Sequence, residues 1–482
     1  METSPPTTRR EATFRALLLA VFLAAMEATI VSTALPRIVA ELGGLALYGW
    51  VGSAYLLAAT VTMPLYGRLA DLHGRKPVFQ LGLLLFFLGS ALCGGARSIA
   101  LLLAGRAVQG LGAGSIQPVA MTIIGDLYPV EERAKVQGII GSIWAVAGVA
   151  GPFLGALLVE GPGWRWVFWI NLPFALLSGV LLHRALHDVP HPGERRGLDL
   201  PGAALLVAAS VGLLLAGEGI RPAATVAVGV LAAAAFIAVE RRSPAPLLPL
   251  PLLARPEVSI SSSAAAASGA LLMGFVIYLP LYLQGVRGLA PAASGMVLGP
   301  LLVGWPAAST YAIRRVRRTG FRSTAVAGAI LIAVGMVSVS LALLARAPVG
   351  VISAASLFVG FGLGFATTSM LVALQTRVEF RERGIATATN LFARSLGSAL
   401  GVGALGAVLS QGLGAGAVAE EVRRQLAPGA RAAHVALDSS AVAVLGAALE
   451  PVWWTLCVLA VVHAIVVYRY PRDQASRAGT PG

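Results

Sequence analysis

The chain has 482 residues, of which 57% are hydrophobic and only 12% charged, and its mean hydropathy is +0.80. An ordinary soluble domain is about 25% charged, so a water-soluble globule of this size is excluded and an all-α polytopic membrane protein is expected. The apolar content suffices for around 14 spans of about 20 residues each, while the formal net charge of +14 fits nucleic acid, an anionic membrane face or a topology signal until its placement is known.

Residues 1–13, rich in Thr, Pro and Arg, read as a tail, and Phe14 to Ala34 as the first helix. At about 21 residues with Glu27 inside it, this run is too long and wrongly furnished for the apolar part of a cleaved signal peptide. Further apolar runs cover roughly 47–66, 78–96, 99–124, 136–158 and 165–186, completing a six-helix unit over 14–187. Two runs near 200–217 and 223–239 form an insert over 198–240. Runs at 257–284, 292–313, 324–345, 349–373, 385–411 and 449–469 make a second six-helix unit over 256–470, followed by a tail at 471–482. The stretch 412–448 reads as a long extracytoplasmic loop whose periodicity is too poor to place a helix.

Lys and Arg fix an orientation. With the N-terminus in the cytoplasm, about 25 basic residues lie inside and about nine outside. Both termini are therefore expected in the cytoplasm of a multi-pass protein of the cell (inner) membrane. Trp50, Trp164, Trp166, Trp169, Trp453 and Trp454 fall at outer helix ends, where an aromatic belt is expected. The basic residues are scattered rather than gathered on one face, which argues against nucleic acid as a partner. Cys93 and Cys457 both lie in apolar runs and offer neither a disulfide framework nor metal-ligand spacing.

An offset of about 250 residues lays one half over the other. Gly110, Gly112 and Gly114 fall on Gly360, Gly362 and Gly364, Glu132 and Arg133 on Glu382 and Arg383, and Gly151 on Gly401. The repeat predicts two pseudo-symmetric six-helix bundles with two extra central helices between them.

Few charges escape the topology explanation. A carboxylate at mid-helix costs about 2.5–3.5 kcal/mol on insertion scales and is a functional candidate for that reason. Glu27 lies about eight residues, or about 12 Å, from the expected outer end of its helix, and Arg106 about seven residues, or about 10 Å, from the outer end of the fourth. At that matched depth, desolvation favours the neutral acid and a nearby arginine the charged one, so a moving arginine or substrate would switch the proton on and off. A static ion pair that fixes packing is the plainer alternative.

The segment Gly67-Arg-Leu-Ala-Asp71-Leu-His-Gly74-Arg75-Lys76 is expected as the cytoplasmic turn between the second and third helices. There a charge-assisted bond between Asp71 and Arg75 would hold helix ends together, with Asp126 as a third member. The matching stretch Tyr311 to Arg322 keeps Gly320 and the basic residues but has no acid. Gly148, Gly151, Pro152 and Gly155 in the fifth helix combine small residues that let backbones touch with a proline that removes a helical hydrogen bond.

The 67–76 segment resembles the GxLaDrxGrkxxl signature of the major facilitator superfamily. Arg106-Ala-Val-Gln109-Gly110 resembles its helix 4 signature, and Gly148 to Gly155 its antiporter signature. With around 14 spans, Glu27-Ala-Thr-Ile-Val-Ser-Thr-Ala-Leu-Pro36 and Trp164-Arg-Trp-Val-Phe-Trp-Ile-Asn171-Leu-Pro173, the chain is similar to EmrB/QacA-type drug:proton antiporters, which usually have Asp at the position of Glu27. The resemblance implies a central cavity and alternating access. Glu27 would carry the proton and Arg106 assist it, while the 67–76 segment with Asp126 would latch the outward-open state. Met26, Tyr55, Gln109, Gln117, Tyr278, Tyr282, Gln284, Trp305, Asn390 and Arg394 are candidates for lining the cavity, although polar side chains also hold membrane helices together.

The expected function is export of small amphipathic molecules in exchange for protons by a monomer embedded in lipid. Export of an endogenous lipid or secondary metabolite, or a non-transporting scaffold or sensor, are the alternatives. No GxxxxGK[ST] loop occurs in the chain, and no nucleophile–base pair or metal cluster recommends an enzyme, so no cofactor is expected beyond the proton gradient. With no second carboxylate deep in a helix, obligatory dications are disfavoured as substrates.

Overall fold

The computed structural model describes residues 7–43, 47, 50–186, 199–217, 221–243, 246–248, 250–414, 418, 420–421 and 438–472. The ends of both expected tails, and most of the loop expected at 412–448, lie outside the described residues. The described residues contain helices and turns but no strand, and helices are one of the two structures that satisfy every backbone group within a lipid environment.

Chain order gives α1 (Thr7–Leu42), α2 (Trp50–His73), α3 (Arg75–Gly94), α4 (Ile99–Leu127), α5 (Val130–Glu160), a single turn α6 (Trp166–Trp169) and α7 (Asn171–Ala185). There follow α8 (Leu200–Gly217), α9 (Pro222–Glu240), the short α10 (Leu250–Ala254), α11 (Pro256–Gly285), α12 (Pro291–Leu344), α13 (Val349–Arg377), α14 (Arg383–Leu413) and α15 (Ser439–Tyr468). Among the described residues, eleven helices are long and apolar enough to cross a membrane, with Leu200–Leu215 a shorter apolar helix beside them.

The helices outrun the apolar runs because polar residues continue a helix until something stops it. Residues 67–73 are helical, and only Gly74 separates α2 from α3. Gly74 has φ 96 and ψ 155; Gly320, inside the 54-residue α12, has φ 85 and ψ 169. These are one backbone turn used twice, at repeat-related positions, in a region that side chains disfavour. Gly320→Ala is therefore expected to cost about 1–2 kcal/mol and lower the thermal unfolding midpoint. Gly350→Ala, at an open helical site, serves as the control that should not; equal midpoints would show that the turn carries no such constraint.

Two bundles enclose separate cores. In the first, Leu17, Phe79, Phe86 and Ile116 pack at one level and Ile30, Ile38, Leu102 and Phe168 at another; in the second, Phe275, Leu279, Leu301, Ile332, Val359 and Leu456 do so. The glycine triples behave alike in both. Gly110 packs against Tyr55 and Gly360 against Leu301, while Gly112 meets Phe86 and Gly362 meets Ile332. The inserted α8 and α9 pack on one another through Gly212 and Gly229. At one end, Ala203, Leu206 and Phe236 join Leu374, Val378 and Ile385 of the second bundle. The exterior is apolar, with Met296 at 72% and Phe153 at 71% exposure, a surface a soluble monomer does not carry. Trp166, Trp169 and Trp454 face outward, whereas Trp164 and Trp453 are buried.

Candidate functional site

Two buried charge clusters stand out, one inside the first bundle and one between the bundles. In the first, Glu27 of α1 is fully buried and pairs directly with Arg106 of α4. Because α1 continues to Leu42, the acid lies deeper than the apolar run alone suggested. Arg106 is held on every side: Nε donates to the Val51 carbonyl at 2.9 Å, Nη1 donates to Gln109 Oε1 at 2.7 Å, and the guanidinium lies 4.4 Å from the Tyr55 ring centre. Asn171 Nδ2 donates to Glu27 Oε2 at 2.5 Å and lies 3.1 Å from Ser90 Oγ, which itself donates to the Phe168 carbonyl at 2.9 Å. Five helices and the α6 turn thus converge on one carboxylate. A buried pair of this kind is a poor stabiliser compared with apolar packing, and removing one partner costs about 3–5 kcal/mol, so its presence deep in the bundle is itself informative.

α5 grips the helix that carries this acid. Gly151 and Gly155 pack on Thr29 and Thr33 of α1, and Thr29 Oγ1 lies 3.1 Å from the Ala147 carbonyl. Gly148 faces open space, and the Pro152 side chain lies outside the described residues. On another face of the same helix, a Cβ at Gly138 would stand 3.0 Å from the Pro306 carbonyl of the second bundle.

The second cluster joins the bundles. Arg75, 4% exposed, faces Asp71 at 3.1 Å and Asp126 at 3.2 Å. It also donates to the Phe380 carbonyl at 2.9 Å and lies over the Phe380 ring at 4.6 Å. The Asp71 carboxylate accepts from the backbone N–H groups of Gly384 at 3.0 Å and Ile385 at 2.7 Å. Those first-turn donors of α14 have no partner within their own helix and sit at its positive dipole end, so a carboxylate of one bundle caps a helix of the other. Arg383 Nη1 donates to Asp126 Oδ1 at 2.5 Å and Nε to the Gln375 carbonyl at 3.0 Å, while Gln375 Nε2 donates to the Met121 carbonyl at 3.1 Å. Arg383 also repeats its counterpart, since Arg133 Nη2 donates to the Gly125 carbonyl at 2.6 Å.

Gly67 allows this contact: a Cβ there would collide with Ala388 and stand 2.8 Å from the Gly384 carbonyl. Gly67→Ala is expected to weaken closure by about 1–3 kcal/mol, the usual cost of overpacking. The readout is the distance between spin labels at the exposed positions His73 and Glu379; an unchanged distribution would remove Gly67 from the seam. Lys76 does not cross to the other bundle, its Nζ donating to the His183 carbonyl at 2.8 Å.

The remaining expected residues are spread over both bundles. Tyr55 is buried against Arg106, Met26 is buried in the first bundle's apolar core, and Tyr278 and Tyr282 are buried in the second core, donating to the carbonyls of Val402 at 3.1 Å and Leu343 at 2.7 Å. Gln284 Nε2 donates to Ser294 Oγ at 2.7 Å. Gln117, Trp305 and Arg394 are half-buried, and Asn390 is buried one turn from Arg394. Sequence reasoning did not assign Asn171, Ser90, Gln375 or the main-chain groups of Phe380, Gly384 and Ile385. For Asn171 and Ser90 the available signal was a polar side chain within an apolar run; the main-chain groups have none.

Residues 17–402 match the family model described as Major Facilitator Superfamily. The chain is 31% identical to the multidrug transporter protein MdtP of Bacillus subtilis (strain 168) over 389 residues, covering 79% of this chain and 72% of that protein. It is 33% identical to multidrug resistance protein 3 of the same organism over 389 residues, with coverages of 79% and 75%. Among solved structures, the human organic anion transporter MFSD10 shares the fold with a TM-score of 0.66 at 16% identity, covering 96% of this chain and 100% of that one.

Proposed function

The chain belongs to the major facilitator superfamily, and on that premise we propose that it exports amphipathic small molecules in exchange for protons, as a 14-helix drug:proton antiporter of the EmrB/QacA type. It is a multi-pass membrane protein with multidrug transporters among its relatives. The count of fourteen is supported by adding α2, α8 and the second segment of α12 beyond Gly320 to the eleven apolar spans. The protein would work as a monomer in the cell membrane with both termini cytoplasmic. The inter-bundle latch would then lie on the cytoplasmic side and the conformation would be outward-open.

The observation that carries the reading is the fully buried Glu27–Arg106 pair. A proton arriving at Glu27 cancels the attraction to Arg106, which keeps its bonds to the Val51 carbonyl and Gln109. α1 is then free to shift relative to α4. The shift passes to α5 through Thr29 and Thr33 against Gly151 and Gly155, and from α5 to the second bundle at Gly138 and Pro306. One proton moving through 100 mV supplies about 2.3 kcal/mol, enough for an accumulation ratio of about 50 at about 1.4 kcal/mol per decade.

Proteoliposomes with an imposed pH gradient and a panel of fluorescent amphiphiles test the proposal. Uphill movement that ceases when a protonophore collapses the gradient is the expected result. Movement indifferent to the gradient would rule out proton coupling, and no movement of any compound would favour a scaffold or sensor.

A further inference from the structure

Within the spanning helices, Glu27 answers Arg106, but Arg394 has no counter-ion among the described residues. It lies about eleven residues, or about 16 Å, into α14. Among the described residues its guanidinium has neither an ion pair nor a hydrogen bond. Its neighbours on the helix determine where it points. On one flank, Gly397 and Gly401 pack on Ala266 and Ala270 of α11. On the other, Ala388 meets Gly67 and Ser395 meets Met63, both of α2. Phe392, on the far side, packs with the cluster formed by Ala203, Leu206 and Phe236 of the inserted pair. The Arg394 carbonyl itself stands against Gly269 of α11, so helix geometry sets this position at the seam of α11 with α2, about three turns beyond the latch. Asn390, one turn nearer the latch, likewise has a side-chain amide with no hydrogen-bond partner among the described residues.

A guanidinium kept half out of water at this depth has a large unmet demand for negative charge, and its planar donors match a carboxylate in two parallel bonds. An unmatched charge within a membrane span marks a ligand path rather than a packing device. With Glu27 neutralised by Arg106, the fixed charge offered to a substrate from this helix is positive, which repels amphipathic cations.

We infer that Arg394, with Asn390 beside it, binds the acidic group of an amphipathic monoanion, such as a carboxylate on an apolar body. The inference rests on the export reading for the route such a molecule takes, but the binding preference stands apart from it. A phospholipid headgroup offers the same anionic chemistry, so the test separates the two sources.

Pyrenebutyrate, pyrenebutanol and pyrenebutylamine differ only in their terminal group. Their binding to the purified full-length chain in phosphatidylcholine nanodiscs is read by pyrene fluorescence. The carboxylate is expected to bind at least about tenfold tighter than the alcohol, as a charge-assisted bond implies, and the amine more weakly than either. Arg394→Gln should erase the preference while leaving the alcohol within about twofold, and Arg394→Lys should keep part of it. Equal binding of all three compounds by the unmodified protein, or a uniform loss in Arg394→Gln, would overturn the assignment. So would disappearance of the preference when phosphatidylglycerol is added, since the headgroup would then be the occupant. If Arg394→Gln does not fold, the unmodified protein and Arg394→Lys still decide the matter. A carboxylate preference without movement of any compound in proteoliposomes would defeat the export reading and leave the binding site intact.

Discussion

Glu27→Gln is expected to abolish proton-driven accumulation while leaving substrate binding and downhill exchange in place. The carboxamide is nearly the same size and still offers an oxygen to Arg106, but it cannot take up and release a proton. The accumulation ratio of about 50 that one proton sustains at 100 mV should fall to about 1. Leaving Arg106, 2% exposed, without its counter-charge should also cost about 3–5 kcal/mol of stability. The double variant Glu27→Gln/Arg106→Gln is therefore expected to regain much of the stability and none of the coupling. Glu27→Asp should couple more slowly, because the shorter acid must reach Arg106 and Asn171 together. Uphill transport that survives in Glu27→Gln would take this residue out of the proton path.

Asp126→Ala is expected to open the inter-bundle latch. Asp126 is the shared acceptor of Arg75 and Arg383, one from each bundle, and its loss leaves two arginines facing each other with Asp71 as the remaining acid. Removing one partner of a buried charged cluster costs about 3–5 kcal/mol, which at about 1.4 kcal/mol per decade moves a two-state equilibrium by a factor of about 10² to 5 × 10³. The closed distance between spin labels at His73 and Glu379 should give way to a longer one, with transport slowed because the outward-open state is seldom visited. A closed distribution indistinguishable from the unmodified protein would show that Asp71 and the α14 cap suffice.

The sequence made legible whatever depends on contrast with an apolar background. Glu27 and Arg106 stood out as charges inside apolar runs, and helix geometry put them at a common depth where the structure pairs them. The glycine triples and the Glu132–Arg133 and Glu382–Arg383 pairs made the two-bundle repeat visible. The latch was only half visible: Asp71, Arg75 and Asp126 are side chains with a recognisable pattern, but their partners are the Phe380 carbonyl and the N–H groups of Gly384 and Ile385. Any residue type supplies those groups, and only the docking of the bundles selects them. The extent of α2 was hidden for a related reason. Arg68, Asp71 and His73 end an apolar run without ending a helix, and only the backbone of Gly74 does so.

The latch also makes the protein a sensor of its ionic surroundings. While closed, its charges are almost out of water, with side-chain exposures of 1% at Asp71, 4% at Arg75 and 15% at both Asp126 and Arg383. Mobile ions screen exposed charges over about 8–10 Å at physiological strength but reach enclosed ones poorly. Raising the salt concentration on that side therefore does little to the closed state, yet it stabilises the same four charges once they are parted and hydrated. The salt acts on only one side of the equilibrium, and the carrier should spend more of each cycle open towards the saltier compartment on that face.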